Sequence, residues 1–595
     1  MTISVKSFPI GESDFEAIID EGKIYIDKTS YLKSLLTSAV EVFHFLRPHG
    51  FGKTLSMSML ASFLEMNYEN PEDRSRQENL FKDLKVYKEN RKLCDEYMGR
   101  YPVISLSLKD TEAKNFKGAV YGIISIFADL AYKFRFLTRI ESLDTIFLQR
   151  IINCKNNIEP VFESDGSIIE NTAAMIQNFL KDLAACLHQV YGKKAVVIID
   201  EYDVPLQKAT VHGYYDSMLI LIRGILSTTL KDDENIFKGY VTGCLRIAHQ
   251  SIFTGVNNFK TFGIGDEAYS DFIGLTKDEI VKLLKDCGME NRLPDVISWY
   301  DGYSFAGKEM LCPWSVLNFL CDALRTADPA AFQPENYWAN SSGNDIIEIS
   351  MKHATPGIAS RLQNLIDGGT EEIDLCEFTS YPEITGNTDF NVFATLMLHT
   401  GYFTAVRDNA PALPGAVTIK IPNREVLECF KHKVRTVFGR RNPEWLKKSQ
   451  DLLNALFEGE AKKAAAIIRS MLLTFLSVRD TAYESVYHSF LLGILGIAAD
   501  IAGADIKSNS ECGDGFSDIV IKNRILDTAV IIEFKKSASD SASAMKKMCE
   551  TAISQIEKQK YDFDIREDFE TVRKYGIVFY GKNCEAVHRE YRREE

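Results

Sequence analysis

The sequence predicts an α/β protein with a mostly parallel N-terminal sheet, a helical middle region and a smaller α/β domain at the C-terminus. Three stretches carry that reading. Val42-Phe43-His44-Phe45-Leu46 is apolar and β-prone, and it runs through a two-glycine turn into a helical pattern over residues 55–65. Ala195-Val196-Val197-Ile198-Ile199 is a continuous, mostly β-branched run, as in a strand buried on both faces of a parallel sheet. Residues 518–535 hold two strand patterns joined by a polar turn, which reads as a β-hairpin.

Composition sets the frame. The 595 residues are 45% hydrophobic and 26% charged, ordinary for a globular protein with sizeable cores. The length prior is about four domains, or two or three larger ones. The boundaries drawn here are 1–284, 285–469 and 470–595. A net charge of −14 excludes a generally basic nucleic-acid coat but leaves room for a local basic groove. The twelve cysteines are scattered with no C-x-x-C pair, which removes zinc-ribbon and thioredoxin-like readings and suits reduced thiols. The N-terminus lacks the apolar core of a signal peptide, and the apolar run 490–499 is too short to span a bilayer. The expectation is a cytoplasmic protein with no membrane partner.

In chain order, Lys23 to Thr29 reads as a short strand, and a helix is expected from Ser30, a good N-cap residue. Val42 to Thr54 then gives strand, glycine turn, and Gly52-Lys53-Thr54 at a helix start. Glycines let backbone N–H groups converge on phosphate oxygens, and the helix N-terminus adds a favourable dipole. In such a loop Gly50 and Gly52 line the phosphates, Lys53 reaches the β- and γ-phosphates, and the Thr54 hydroxyl ligates Mg²⁺. The full pattern wants a glycine where Arg47 stands, a lack that Gly50 can offset, and the loop alone is equally a plain strand-to-helix turn. Strands follow at residues 101–108 and 195–199, with helical patterns over 117–150 and 170–191.

Asp200 and Glu201 close the second of those strands, at the carboxyl end where open α/β sheets place ligands. Asp200 is set to hold Mg²⁺ or its water, and Glu201 to orient or deprotonate an attacking water. Solvated acids at a strand end are the plain alternative, which the upstream loop weakens. Asp203 is a candidate brace for the turn before Pro205. A further strand over 236–243 ends near Thr242, a candidate γ-phosphate sensor, and Arg246 follows as sensor, arginine finger or structural ion pair.

These phrases together resemble the prokaryotic AAA-ATPase-like family: Ile26-Asp27-Lys28-Thr29, Arg47-Pro48 with Phe51-Gly52-Lys53-Thr54, Asp200-Glu201-Tyr202-Asp203, and Thr242-Gly243 through Arg246-Ile247. Trp299-Tyr300-Asp301-Gly302-Tyr303 and Pro313-Trp314-Ser315 extend the likeness, which covers about residues 8–345. Family members commonly read Arg-Pro-Arg-Arg-Phe-Gly-Lys, whereas His49-Gly50 replaces the two middle basic residues here. The resemblance implies an additional-strand P-loop NTPase core with a helical lid, using ATP and Mg²⁺, and sites completed across the subunits of a homo-oligomer. Residues 285–469 carry no chemistry of their own in the sequence and read as a lid or coupling region.

On the C-terminal hairpin, Glu533 and Lys535 are two apart on one strand and share a face, with Asp518 at the start of the partner strand. Two carboxylates and a lysine suit hydrolysis with Mg²⁺ or Mn²⁺, hard cations that take oxygen ligands. The alternative is a strand whose polar residues face water. Gly515-Phe516-Ser517-Asp518 and Glu533-Phe534-Lys535 resemble the PD-(D/E)XK nuclease superfamily, in the subgroup fused behind AAA-ATPase-like domains, over about residues 470–595. The resemblance implies Asp518, Glu533 and Lys535 as catalytic, with Glu484 on an upstream helix as a further metal ligand. His488, one turn on from Glu484, is equally a core histidine, and Gln555, Lys558 and Tyr561 match the helix motif beside the catalytic strands. Tyr575 to Tyr580 is expected as the last strand.

The function these features support is an ATPase that gates or powers a Mg²⁺-dependent nuclease acting on nucleic acid, DNA ahead of RNA. By analogy such a design suits defence or mobile-element processing. The alternatives are a signalling NTPase whose C-terminal domain binds nucleic acid or a partner without cleaving, and a switch whose nucleotide state sets oligomer size.

Overall fold

The computed structural model describes residues 7–111, 113–245, 258–338, 356–376, 389–406, 416–430, 443–475, 501–512 and 515–593, with 487, 491, 494–496 and 498–499. Its contacts divide the chain into two compact units, 1–353 with 372–429, and 354–371 with 430–595. The region expected as a separate middle is thus shared between them. No described helix is long and apolar enough to cross a membrane.

The first unit is built on five parallel strands, β1 (Val42–Leu46), β2 (Val103–Ser107), β3 (Ala195–Asp200), β4 (Ile236–Gly243) and β5 (Phe259–Phe262), in the order β2-β3-β4-β1-β5. β4 is inserted between β1 and β3, as an additional-strand core requires. Every residue of β1 and β3 is buried, because helices Lys53–Leu64, Phe116–Lys133 and Glu170–Tyr191 pack against the sheet. That is why these strands read as mostly apolar runs, interrupted by His44 in β1 and closed by Asp200 in β3. Phe43, Phe45, Tyr240 and Phe262 stack as a layer on the sheet, ring centroids 5.2–5.9 Å apart. Two small sheets follow. β6 (Leu275–Thr276), β7 (Tyr303–Phe305) and β8 (Lys308–Leu311) form one, and β9 (Glu371–Asp374), β10 (Thr404–Ala405) and β11 (Ala416–Lys420) the other.

Two local expectations are corrected. Residues 23–28 are extended but join no ladder: Ile24 and Ile26 pack on the cluster around Tyr300 and Phe319, while the Tyr25 ring meets Phe15 edge-on at 5.1 Å. Side-chain burial on both sides replaces strand pairing there. Ser30 already has helical angles and caps nothing. The polar anchor is Asp27, which accepts from the Thr29 N–H (2.9 Å), the Thr29 hydroxyl (2.6 Å) and the Lys85 N–H (2.7 Å).

The second unit centres on β12 (Asp505–Cys512), β13 (Gly515–Asn523), β14 (Thr528–Lys536), β15 (Thr571–Tyr580) and β16 (Asn583–Arg592), hydrogen-bonded in that order. Only β14 and β15 run parallel, and the helix Ala542–Lys558 makes the crossover between them. Helices Pro443–Glu458 and Ala461–Phe475 share one core with Tyr487, Leu491, Ile532 and Phe579. Two strands went unread in the sequence. β12 and β16 are the edge strands of the sheet, and their sequences are mostly polar, so they lack the apolar signal of β14. β13 also starts at Gly515 rather than at Asp518.

Gly576 sets how closely the crossover helix lies on the sheet. A Cβ there would come within 2.1 Å of the Cys549 carbonyl oxygen, and Gly576 is the register partner of Glu533. Gly576→Ala is expected to destabilise this unit by about 2 kcal/mol or more. Calorimetry of the full chain would measure it, and an unchanged transition would refute the close approach.

Candidate functional site

Two constellations emerge, one in each unit. In the first, β1 ends at Leu46 and the chain turns through residues 47–52 into helix Lys53–Leu64. Gly50 (φ +80°) and Gly52 (φ +88°) both take left-handed angles that other residues rarely adopt. Their surroundings differ. A Cβ on Gly52 would point into open space, whereas on Gly50 it would meet the Cys312 sulfur at 3.0 Å and Trp314 at 3.3 Å. Arg47, in the place of the usual glycine, is fully buried. Its guanidinium donates to the carbonyls of Leu46 (2.8 Å), Phe262 (3.1 Å) and Tyr269 (2.9 Å) and lies over the Phe305 ring. Arg47 therefore clamps the loop to the sheet and is turned away from any phosphate.

Lys53 opens the helix and is 4% exposed. Its ammonium donates to the carbonyls of Arg47 (3.1 Å) and Pro48 (3.3 Å), and lies 3.3 Å from the Cys244 sulfur and 3.4 Å from Glu201 Oε1. Burial penalises this charge, but Cys244 and the carboxylates of Glu201, Asp200 and Asp203 outweigh it and hold the lysine above its ordinary pKa. At the next residue, the Thr54 hydroxyl donates to Asp200 Oδ2 at 2.7 Å. The Thr242 hydroxyl donates to the other oxygen of Asp200, and the Glu201 N–H donates to Thr242 Oγ1 at 3.3 Å. Burial, then the neighbouring Glu201 charge, pushes Asp200 up.

Glu201 itself sits at φ +56°, a strained angle for a residue with a Cβ. Burial opposes its charge, yet Lys53 keeps it below the ordinary carboxylate value. Asp203 Oδ2 accepts from the N–H groups of Cys244 and Leu245, both at 3.0 Å, and burial followed by the Glu201 charge pushes its pKa up to about 6. It ties the end of β3 to the end of β4, more than bracing a turn. Gly243 is required there, because a Cβ would lie 2.6 Å from the Tyr202 ring and 2.8 Å from Asp203. Arg246 lies outside the described residues.

In the second unit, Asp518 on β13 accepts the Phe534 N–H at Oδ2 (2.7 Å), which sets it against the β14 segment that bears Glu533. Glu533 is 3% exposed. Its Oε1 accepts from Lys535 Nζ at 2.9 Å and from Gln555 Nε2 at 2.5 Å. Asp518, Glu533 and Lys535 thus lie near one another on neighbouring strands, with Gln555 added from the crossover helix. Tyr561 is buried among Val520, Ile531 and Ile556, and Lys558 is exposed. Glu484 and His488 lie outside the described residues.

Comparison with known proteins fits both geometries. Residues 9–253 match the model of a family described as "Predicted AAA-ATPase", and residues 482–589 match that of the PD-(D/E)XK nuclease superfamily. The chain joins an AAA-ATPase-like domain to a PD-(D/E)XK superfamily domain. It is also similar to an uncharacterized protein in the vnfD 5′ region of Azotobacter chroococcum mcd 1, 27% identical over 324 residues, which cover 53% of this chain and 52% of that relative. The chain thus spans about half the length of the curated relative it matches.

Three features of the AAA-ATPase-like site left no sequence signal. Cys244 reaches Lys53 and, at 3.3 Å, His49 Nε2. Cys312 and Trp314 close over Gly50, whose carbonyl accepts the Trp314 N–H at 3.2 Å. These contacts span well over a hundred residues, so no short stretch of sequence announces them. The third is His49, which burial and then the Lys53 charge lower to about 4. The unfolded chain protonates near the ordinary value of about 6.5, so it binds more protons than the folded chain between those limits. Stability must therefore fall as pH drops through that window. His49→Gln is expected to flatten the acid limb of the pH–stability curve of the AAA-ATPase-like domain. Thermal unfolding across that range tests it, and an identical limb in the variant would refute it.

Proposed function

We propose that this protein is an ATPase that gates a divalent-metal-dependent nuclease acting on DNA. The observation that carries the reading is Glu533, a buried carboxylate holding Lys535 and Gln555 on one oxygen, with Asp518 fixed beside it by the Phe534 N–H. A buried acid is costly unless partners or a cation compensate it, and this donor set of hard oxygens fits Mg²⁺ or Mn²⁺. A cation held by Asp518 and Glu533 would polarise the scissile phosphate and lower the pKa of an attacking water. Lys535 faces the same space and offsets the charge that develops on the phosphate oxygens. Glu484 is the third acid of this reading, as the upstream helix of the superfamily supplies one.

The nucleotide site fits its ligand on equally local grounds. The open space beside Gly52, at a helix N-terminus, suits phosphate oxygens. Thr54 and Asp200, already joined by a hydrogen bond, are the pair that would hold Mg²⁺. Lys53 is engaged by Glu201 and loop carbonyls, and nucleotide phosphates compete for the same ammonium. Moving Lys53 onto phosphate frees Glu201 to orient and deprotonate water, while Thr242 holds Asp200 in place. Arg246 is assigned the charge-stabilising arginine.

The test is cleavage of linear, circular and single-stranded DNA and of RNA by the full chain with Mg²⁺ or Mn²⁺, with and without ATP. Lys535→Ala is expected to lower kcat for DNA cleavage by about a hundredfold or more. Lys53→Ala is expected to abolish ATP hydrolysis and the ATP dependence of cleavage. Measurable ATP hydrolysis with no cleavage of any substrate would overturn the nuclease half of the proposal.

A further inference from the structure

The crossover helix Ala542–Lys558 is charged differently on its two flanks. Its buried face carries Met545, Cys549, Ala552, Ile553 and Ile556. On the flank toward β16, Glu550 is paired with Arg589 (2.9 Å), and Glu557 with Arg589 (2.8 Å) and Lys574 (3.1 Å). On the other flank Gln555 reaches Glu533 on β14. At about 100° per residue, Thr551, Lys558 and Lys547 all fall within about 80° of Gln555, on its solvent side. Lys546 falls about 180° away, among the acids. Lys547, Thr551 and Lys558 are exposed, and neither lysine of that trio enters an ion pair among the described residues. The acids of this helix are neutralised on one side, which leaves unopposed positive charge beside the carboxylate site on the other.

We infer that this flank is a rail for the sugar–phosphate backbone of a DNA strand passing through the Asp518, Glu533 and Lys535 site, an inference that rests on the nuclease reading above. Lys547 and Lys558 are separated by about 16 Å of helix at 1.5 Å per residue. That length equals the rise of about five base steps along a duplex axis at 3.4 Å each. Thr551 between them is short and lets the strand lie close. Lysine ammoniums act here as point charges on phosphate, so they position the strand without reading its sequence. Lys547 and Lys558 are positioning residues, not catalytic ones.

The test compares the full chain with Lys547→Gln/Lys558→Gln and with Lys546→Gln. Binding of a fluorescent DNA duplex is read by anisotropy over a salt series, with Ca²⁺ in place of Mg²⁺ to hold back turnover, and cleavage is then measured in Mg²⁺. The double variant is expected to bind more weakly and to lower the slope of log K against log salt by about two, about one per lysine. KM should rise with kcat unchanged, and Lys546→Gln should match the parent in every readout. Equal thermal unfolding of the three proteins excludes a folding effect. An unchanged slope and KM in the double variant, while the parent binds and cleaves, would overturn the rail and leave the nuclease reading standing. An equal loss in Lys546→Gln would also overturn it, since bulk charge would then suffice. A parent that binds no DNA at all would remove both.

Discussion

A carboxylate at the end of a fully covered strand has to be compensated, and Asp200 is the point at which the first unit meets that demand. One oxygen takes the Thr54 hydroxyl from the helix that follows β1, and the other takes the Thr242 hydroxyl from β4. Those bonds join the three central strands at their carboxyl ends and hold the phosphate-loop helix in register with the sheet. Lys53 and Glu201 complete the buried charge cluster and hold each other ionised against the cost of burial, while the Glu201 charge adds to burial in pushing Asp200 up. Asp203 adds a second tie between β3 and β4 through the Cys244 and Leu245 N–H groups. Strand order matters here, because β4 lies beside β3 and so brings Thr242 to the acid.

The loop is built as much by what covers it as by its own residues. Arg47 spends its donors on backbone carbonyls of the sheet and its flank, and Phe51 wedges against Tyr303 and Phe305. Cys312 and Trp314 lie over Gly50. One face of the turn is therefore sealed by the elements after residue 300, and the side next to Gly52 is open. This asymmetry aims the loop.

In the second unit the same logic runs through a close approach. Gly576 lets the crossover helix settle against β15 at the Cys549 carbonyl, and from that distance Gln555 spans to Glu533. The helix buries one side, pairs its acids on a second, and presents lysines on the third. Strands and helix are thus one object, with the sheet order β13-β14-β15 fixing which flank of the helix adjoins the acids.

Local signal and local chemistry were legible together. Gly52-Lys53-Thr54 had to begin a helix after an apolar strand. Asp200 and Glu201 had to end the next buried strand, and Glu533 and Lys535 had to share a face, because strand and helix periods are set by the backbone itself. The sequence by itself therefore determined the parallel sheet, the glycine turn into the helix that starts at Lys53, and the two-residue spacing on β14. It did not show the edge strands β12 and β16, whose mostly polar sequences carry no apolar pattern, nor that residues 23–28 are held by side-chain packing instead of a ladder. Only the tertiary structure decided that Arg47 turns inward to the sheet, that Cys244 and His49 crowd Lys53, and that Gln555 joins Glu533. Each of those depends on which distant segments meet, and pairings of that range are specified by the summed packing of the core and not by any short pattern in the chain.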